Sequence, residues 1–254
     1  MRVQRYSNSQ YDMIKIQKNQ DTYHLFIAKP DCEAPTGGYA LLIVLDGNAL
    51  FEITAQSVRL MTKKPKGYPP AIVVGIGYPG NQLFDVKRRT YDFTPYADEK
   101  NLPNRPLGET WPNIGGATEF LNFLEKDILP LLIEKYEIND KEVAIFGHSL
   151  GGLFILFSYL QQSKAFTHFI ASSSSVWWNN SALIKHAKNA QELLGKLLII
   201  VGENELPHMV EGSKSFYEVV KQFDTTFMQL SEEDHISVIP GAISRAIKFL
   251  LQPN

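Results

Sequence analysis

Gly147-His148-Ser149-Leu150-Gly151-Gly152 stands between two apolar runs, Glu142–Phe146 before it and Leu150–Leu160 after it. The fragment fits G-x-S-x-G at a junction of strand and helix. A serine that must stand exposed on a tight, strained turn needs neighbours of minimal bulk, and glycine supplies that. The helix beginning at Leu150 offers its unbonded N–H groups to the same spot, which suits a developing oxyanion. The plainer reading is a glycine-eased turn with an idle serine. The flanking pattern favours a nucleophile elbow with Ser149 as nucleophile.

Working outward, short apolar runs alternate with helical patterns. Met13–Lys18 and Thr22–Ala28 flank the polar turn Lys18-Asn19-Gln20-Asp21 and read as an edge hairpin. Leu41–Leu45, Ala71–Gly75, Glu142–Phe146, Phe169–Ser172, Leu197–Val201 and Thr226–Leu230 follow as strands. Helices are expected over Thr118 to about Glu137, with a kink or break at Pro130, and over Leu150–Leu160, Ser181–Leu194, Met209–Phe223 and Ser237–Leu251. This is the order of an α/β-hydrolase fold: a mostly parallel sheet of about eight strands with helices on both faces. One domain over 1–254 is expected, with an irregular proline-rich insertion at 78–117 over the catalytic face.

The fold places an acid and then a histidine on later loops after strand ends. His235 follows the last strand and precedes the last helix, where a general base belongs. His168 begins a strand, His186 falls within a helix, and His208 lies beyond the acid loop. The acid is expected in Gly202-Glu203-Asn204-Glu205, with Glu205 preferred and Glu203 as runner-up. The N–H of Leu150 is one expected oxyanion donor. Gly47, in the loop after Leu41–Leu45, is the other, with Asn48 as the fallback.

Gly75-Ile76-Gly77-Tyr78-Pro79-Gly80 matches a dinucleotide fingerprint, but Pro79 denies it the helix that would meet a pyrophosphate. Lys63, Lys64 and Lys66 are expected on the face away from the site. Lys87, Arg88 and Arg89 fall on the catalytic face, where they suit either an anionic substrate or plain solvation and bracing. Trp177 and Trp178, after four serines, either line an acyl or aryl pocket or pack in the core.

Hydrophobic residues make up 44% and charged ones 20% of the 254, which suits a globular protein with a real core. A net charge of −2 argues against nucleic acid. The lone Cys32 permits no internal disulfide, and neither a leader nor a membrane span is read, so a soluble cytoplasmic protein is expected. The composition leaves the oligomeric state open.

With these residues assembled, the chain resembles the esterase-D-like branch of the α/β hydrolases, and within it the bacterial esterases that open catecholate siderophore trilactones. The likeness rests on Leu45-Asp46-Gly47-Asn48, Gly75-Ile76-Gly77-Tyr78-Pro79, Arg89-Thr90-Tyr91-Asp92-Phe93-Thr94-Pro95, Gly115-Gly116-Ala117, the elbow, Ser175-Val176-Trp177-Trp178 and His235–Pro240. The resemblance implies a serine esterase needing neither metal nor organic cofactor. Its implied substrate is an enterobactin- or bacillibactin-like ester, hydrolysed in the service of iron acquisition. Arg89 is implied to lie near that substrate, and Arg88, Asn48, Trp177 and Trp178 are the other expected contacts. Some members of the branch work with a Ser–His pair alone. A short-chain esterase, an acyltransferase and a non-catalytic binding protein on the same scaffold are the alternatives.

Overall fold

The computed structural model describes residues 2–7, 11–65, 67–105 and 109–252. Nine strands form one sheet: β1 (Arg2–Ser7), β2 (Asp12–Lys18), β3 (Asp21–Ala28), β4 (Tyr39–Val44), β5 (Ala71–Gly77), β6 (Ile138–His148), β7 (His168–Ser172), β8 (Lys196–Gly202) and β9 (Thr225–Leu230). Their order across the sheet is β1-β2-β3-β5-β4-β6-β7-β8-β9. The pairings from β1 to β5 along that order are antiparallel, and all those beyond are parallel. The ninth strand is β1, whose sequence RVQRYS carries no apolar alternation to announce it.

The helices are α1 (Gly47–Met61), α2 (Val86–Phe93), α3 (Ala117–Phe123), α4 (Leu129–Lys135), α5 (Leu150–Leu160), α6 (Trp178–Ala187), α7 (Pro207–Val220) and α8 (Val238–Leu251). Strand residues alternate between two cores. Leu41, Ile43 and Leu45 pack with α5 on one face, while Ala40, Leu42 and Val44 pack with α1 and α8 on the other. All eleven residues of α5 are buried, as expected for a helix that is apolar all round.

Several expectations change in detail: α1 is not among the expected helices, and the helix expected over Ser181–Leu194 is α6, which ends at Ala187. The break at Pro130 is a π-helical turn at Leu124–Ile128 between α3 and α4, just ahead of the proline. The 78–117 stretch is not irregular throughout: it holds α2 and a short 3₁₀ turn at Glu99–Asn101. Lys63 and Lys64 line a cleft of about 640 Å³ beside α1, apart from Ser149, and Lys66 lies outside the described residues.

The chain reverses direction across the sheet at β4. It goes from β4 to β5 on one side, then returns to β6 on the other. In open α/β sheets ligands bind outside the carboxyl ends of strands at such a switch point. The residues there are Asp46-Gly47 after β4 and Ser149 after β6.

Candidate active site

Ser149 caps α5 with φ 61 and ψ −116, a conformation costly for any residue with a side chain. Neighbouring strand ends hold it: its N–H donates to the Ser172 carbonyl at 3.0 Å, and its own carbonyl accepts from the Ser175 N–H at 3.2 Å. Gly147 is required by close approach, since a Cβ there would lie 2.4 Å from the Gly151 carbonyl oxygen.

The imidazole of His235 lies between two partners. Its Nε2 is 3.2 Å from Ser149 Oγ and its Nδ1 is 2.9 Å from Glu205 Oε2. An ionised carboxylate only accepts hydrogen bonds, so Nδ1 carries the proton and Nε2 turns its lone pair to the serine. Burial alone would raise the Glu205 carboxyl. Hydrogen bonds from His235, Ser173 and the Gly202 N–H outweigh it and hold the group below its ordinary range.

Glu203 faces elsewhere and accepts from the Glu232 N–H at 3.0 Å. The acid and histidine loops are tied together by Glu203 N–H to the Leu230 carbonyl and Asn204 N–H to the Glu233 carbonyl, each 2.9 Å. Asp234 does not orient the imidazole. Its carboxylate accepts from the Ile236 and Ser237 N–H groups at 2.8 Å and braces the entry to α8.

Gly47 and Leu150 are the first residues of α1 and α5, and among the described residues neither N–H has an acceptor within the protein. A Cβ at Gly47 would stand 2.8 Å from the Gly75 backbone, so only glycine fits. Just before it, Asp46 adopts φ 51 and ψ 47 and is buried.

Several expected substrate contacts are engaged otherwise. Arg89 is bound through two nitrogens to Asp46, each at 2.9 Å. Burial opposes its charge, but the Asp46 carboxylate outweighs that and raises the guanidinium above its ordinary value. Arg88 bridges Asp21 and Asp92 over the rings of Tyr23 and Tyr78. The Asn48 amide is spent on Tyr78: its nitrogen donates to the carbonyl and its oxygen accepts from the N–H. Trp178 is buried, with its indole N–H on the Pro95 carbonyl, and only Trp177 reaches the cleft. Position after a strand end puts a cation on the catalytic face, but Asp21 and Asp46, which pair with Arg88 and Arg89, come from distant segments. Strand β5 runs on through Gly77 and no helix starts before Val86, so the G-x-G-x-x-G stretch lacks the helix terminus that a pyrophosphate would need.

The cleft over Ser149 and His235 measures about 700 Å³, with Leu102, Trp177, Leu206 and Met209 as apolar lining and Lys100 and His208 at its wall. The sequence does not single out Lys100 or Ser173, the latter donating to Glu205 Oε1, and His208 is weighed there only as a candidate base. For Ser173 the available signal is the run of four serines that begins at the end of β7, and the structure buries all four.

His148, beside the elbow, is held neutral. Burial, then the nearby His235, lowers its pKa to about 3 from 6.5. Below pH 6.5 the unfolded chain takes up a proton that the folded chain refuses, so stability falls as pH drops toward 3. At pH 5 this site is expected to cost about 2 kcal/mol. Asp92, raised to about 6 by burial, pulls the other way, so the test is a difference. In urea unfolding at pH 7.5 and 5, the wild type is expected to lose about 2 kcal/mol relative to His148→Asn at the lower pH. An unchanged gap would acquit His148.

The model of the family named Esterase matches residues 17–205. The chain belongs to this esterase family. It is a carboxylic-ester hydrolase of α/β-hydrolase fold. The ferri-bacillibactin esterase BesA of Bacillus subtilis is 36% identical, covering 95% of this chain and 89% of that one. The siderophore enterobactin esterase of Emericella nidulans is 34% identical over 57% of this chain and 49% of its own. Among solved structures, the BES protein from Bacillus cereus superposes with a TM-score of 0.88 at 32% identity, each chain covered in full. No helix among the described residues is long and apolar enough to cross a membrane.

Proposed function

We propose that this esterase hydrolyses the trilactone esters of a ferric catecholate siderophore, with Ser149 as nucleophile, His235 as general base and Glu205 as orienting acid. The observation that carries the mechanism is the unbroken hydrogen-bond chain Ser149–His235–Glu205, 3.2 Å and 2.9 Å long. His235 Nε2 takes the proton as Ser149 Oγ attacks the ester carbonyl, and the N–H groups of Leu150 and Gly47 receive the oxyanion. The imidazolium then protonates the leaving alkoxide. Water, deprotonated by the same nitrogen, releases the acyl group and restores the serine. None of these steps calls on a metal or an organic cofactor.

The substrate class is supported by the relatives named for bacillibactin and enterobactin, and by the size of the cleft. A cleft of about 700 Å³ admits a bulky ester, and Trp177 offers a face for aryl groups. Lys100 stands at the wall with its ammonium paired to the Asp98 carboxylate at 2.5 Å. The same reading takes the chain as one catalytic domain, with the 78–117 segment reaching over the site through Leu102 and Pro103. It also assigns a cytoplasmic place of action, where the free, exposed thiol of Cys32 is at home.

The test is chromatography of products after mixing the protein with iron-loaded and iron-free catecholate trilactones, beside a short-chain aryl ester. Linear trimer, dimer and monomer acids are expected. Turnover of the aryl ester alone would leave a generic short-chain esterase.

A further inference from the structure

We propose that Asp46 and Arg89 are a pair of positioning residues that fix the oxyanion hole, and that Arg89 does not touch the substrate. The inference rests on the serine-esterase reading above. The two donor groups belong to separate loops, Gly47 after β4 and Leu150 after β6, and something must set the gap between them. Arg89 reaches both loops. Its Nε and Nη2 each lie 2.9 Å from an Asp46 carboxylate oxygen, and Nη2 also donates to the His148 carbonyl at 3.4 Å, one residue before Ser149. Two independent bonds to one carboxylate fix orientation as well as distance. Phe84 and Phe93 flank the guanidinium at 5.4 and 5.6 Å, which leaves it little freedom.

At the other end, Asp46 is the left-handed residue directly before Gly47, and its carbonyl accepts the Ala49 and Leu50 N–H groups that start α1. Holding its side chain therefore aims the next N–H in the chain. Its carboxylate also stands against the first turn of α5, since Oδ2 lies 3.7 Å from where a Cβ on Gly151 would be. An unneutralised carboxylate so near a forming oxyanion would oppose it. Arg89 thus sets the geometry and cancels a hostile charge.

Two esters separate this role from substrate contact: a neutral aryl acetate and an anionic catecholate trilactone. Arg89→Met is expected to lower kcat on both by about 10²–10³-fold with KM within about threefold. Arg89→Lys, which keeps the charge and loses the fork, is expected to recover about tenfold of that. Adding Asp46→Asn to Arg89→Met removes the hostile carboxylate. It is expected to raise kcat above the single variant while leaving it at least about tenfold below wild type. The pair carries no unpaired buried charge, so it gives a folded sample where Arg89→Met does not, as thermal unfolding of each chain will show. Unchanged kcat on the aryl ester, with KM raised for the trilactone alone, would make Arg89 a substrate contact and end the proposal. Wild-type kcat in the double variant would end it too. Absence of turnover by the wild type on both esters would instead overturn the serine-esterase reading beneath it.

Discussion

Ser149→Ala is expected to lower ester turnover by about 10⁵–10⁶-fold, leaving only what binding and the oxyanion donors achieve without a nucleophile. The change deletes one oxygen whose hydrogen bond is to His235. Alanine meets the same penalty at φ 61 as serine, so the elbow's strain is unaltered and the fold should persist. Loss of activity at an unchanged melting temperature would then report chemistry alone. A fluorophosphonate probe gives the second readout, because it forms its covalent bond with an activated serine and needs no particular substrate. The wild type should label at one site and the variant at none. Ser175 also lines the cleft and is the serine to examine if labelling survives. Survival there would move the nucleophile and unseat the mechanism.

How far the site could be read in advance depended on whether a residue's role follows from its place along the chain. Ser149, Glu205 and His235 each follow the end of a parallel strand, and chain order alone brings such ends to one rim of the sheet. The place of Gly47 at that rim was legible for the same reason. Side chains whose roles depend on a partner far away in sequence were not. Arg88 and Arg89 showed their sign and their edge of the sheet, but Asp21 and Asp46, which occupy them, are separated by 67 and 43 positions. Ser173 is 32 positions from the carboxylate it supports.

The fold shows the same limit. Helix α1 was passed over because it opens on Asp46-Gly47-Asn48, which reads as a turn, and because Ile53 and Leu60 blur its apolar face by standing exposed. The turn reading was half right, since Asp46 is left-handed and the helix begins at the very next residue. Strand β1 was missed because an edge strand needs no apolar stripe to pair.

The acid offers a sharper test than its removal would. In Glu205→Gln the new side chain must choose which end carries its two N–H donors. Oxygen Oε1 now receives the Ser173 hydroxyl and the Gly202 N–H, two donors that a third donor group cannot replace. The amide oxygen is therefore expected at that end, which turns the NH₂ toward His235 Nδ1. That nitrogen must then accept, so the ring proton moves to Nε2 and points at Ser149. A protonated Nε2 has no lone pair for the serine proton. The variant is expected to fold, to bind substrate with KM within about threefold, and to lose about 10³–10⁴-fold in kcat through the wrong tautomer. Nitrogen-15 spectra of the His235 ring separate this from simple misplacement, because the proton should be seen on Nδ1 in the wild type and on Nε2 in the variant. If kcat falls less than about tenfold, Glu205 is dispensable and a Ser149–His235 pair carries the reaction. If kcat collapses while the proton stays on Nδ1, then the charge of Glu205, stabilising the imidazolium, is what the reaction needs, and its hold on the tautomer is secondary.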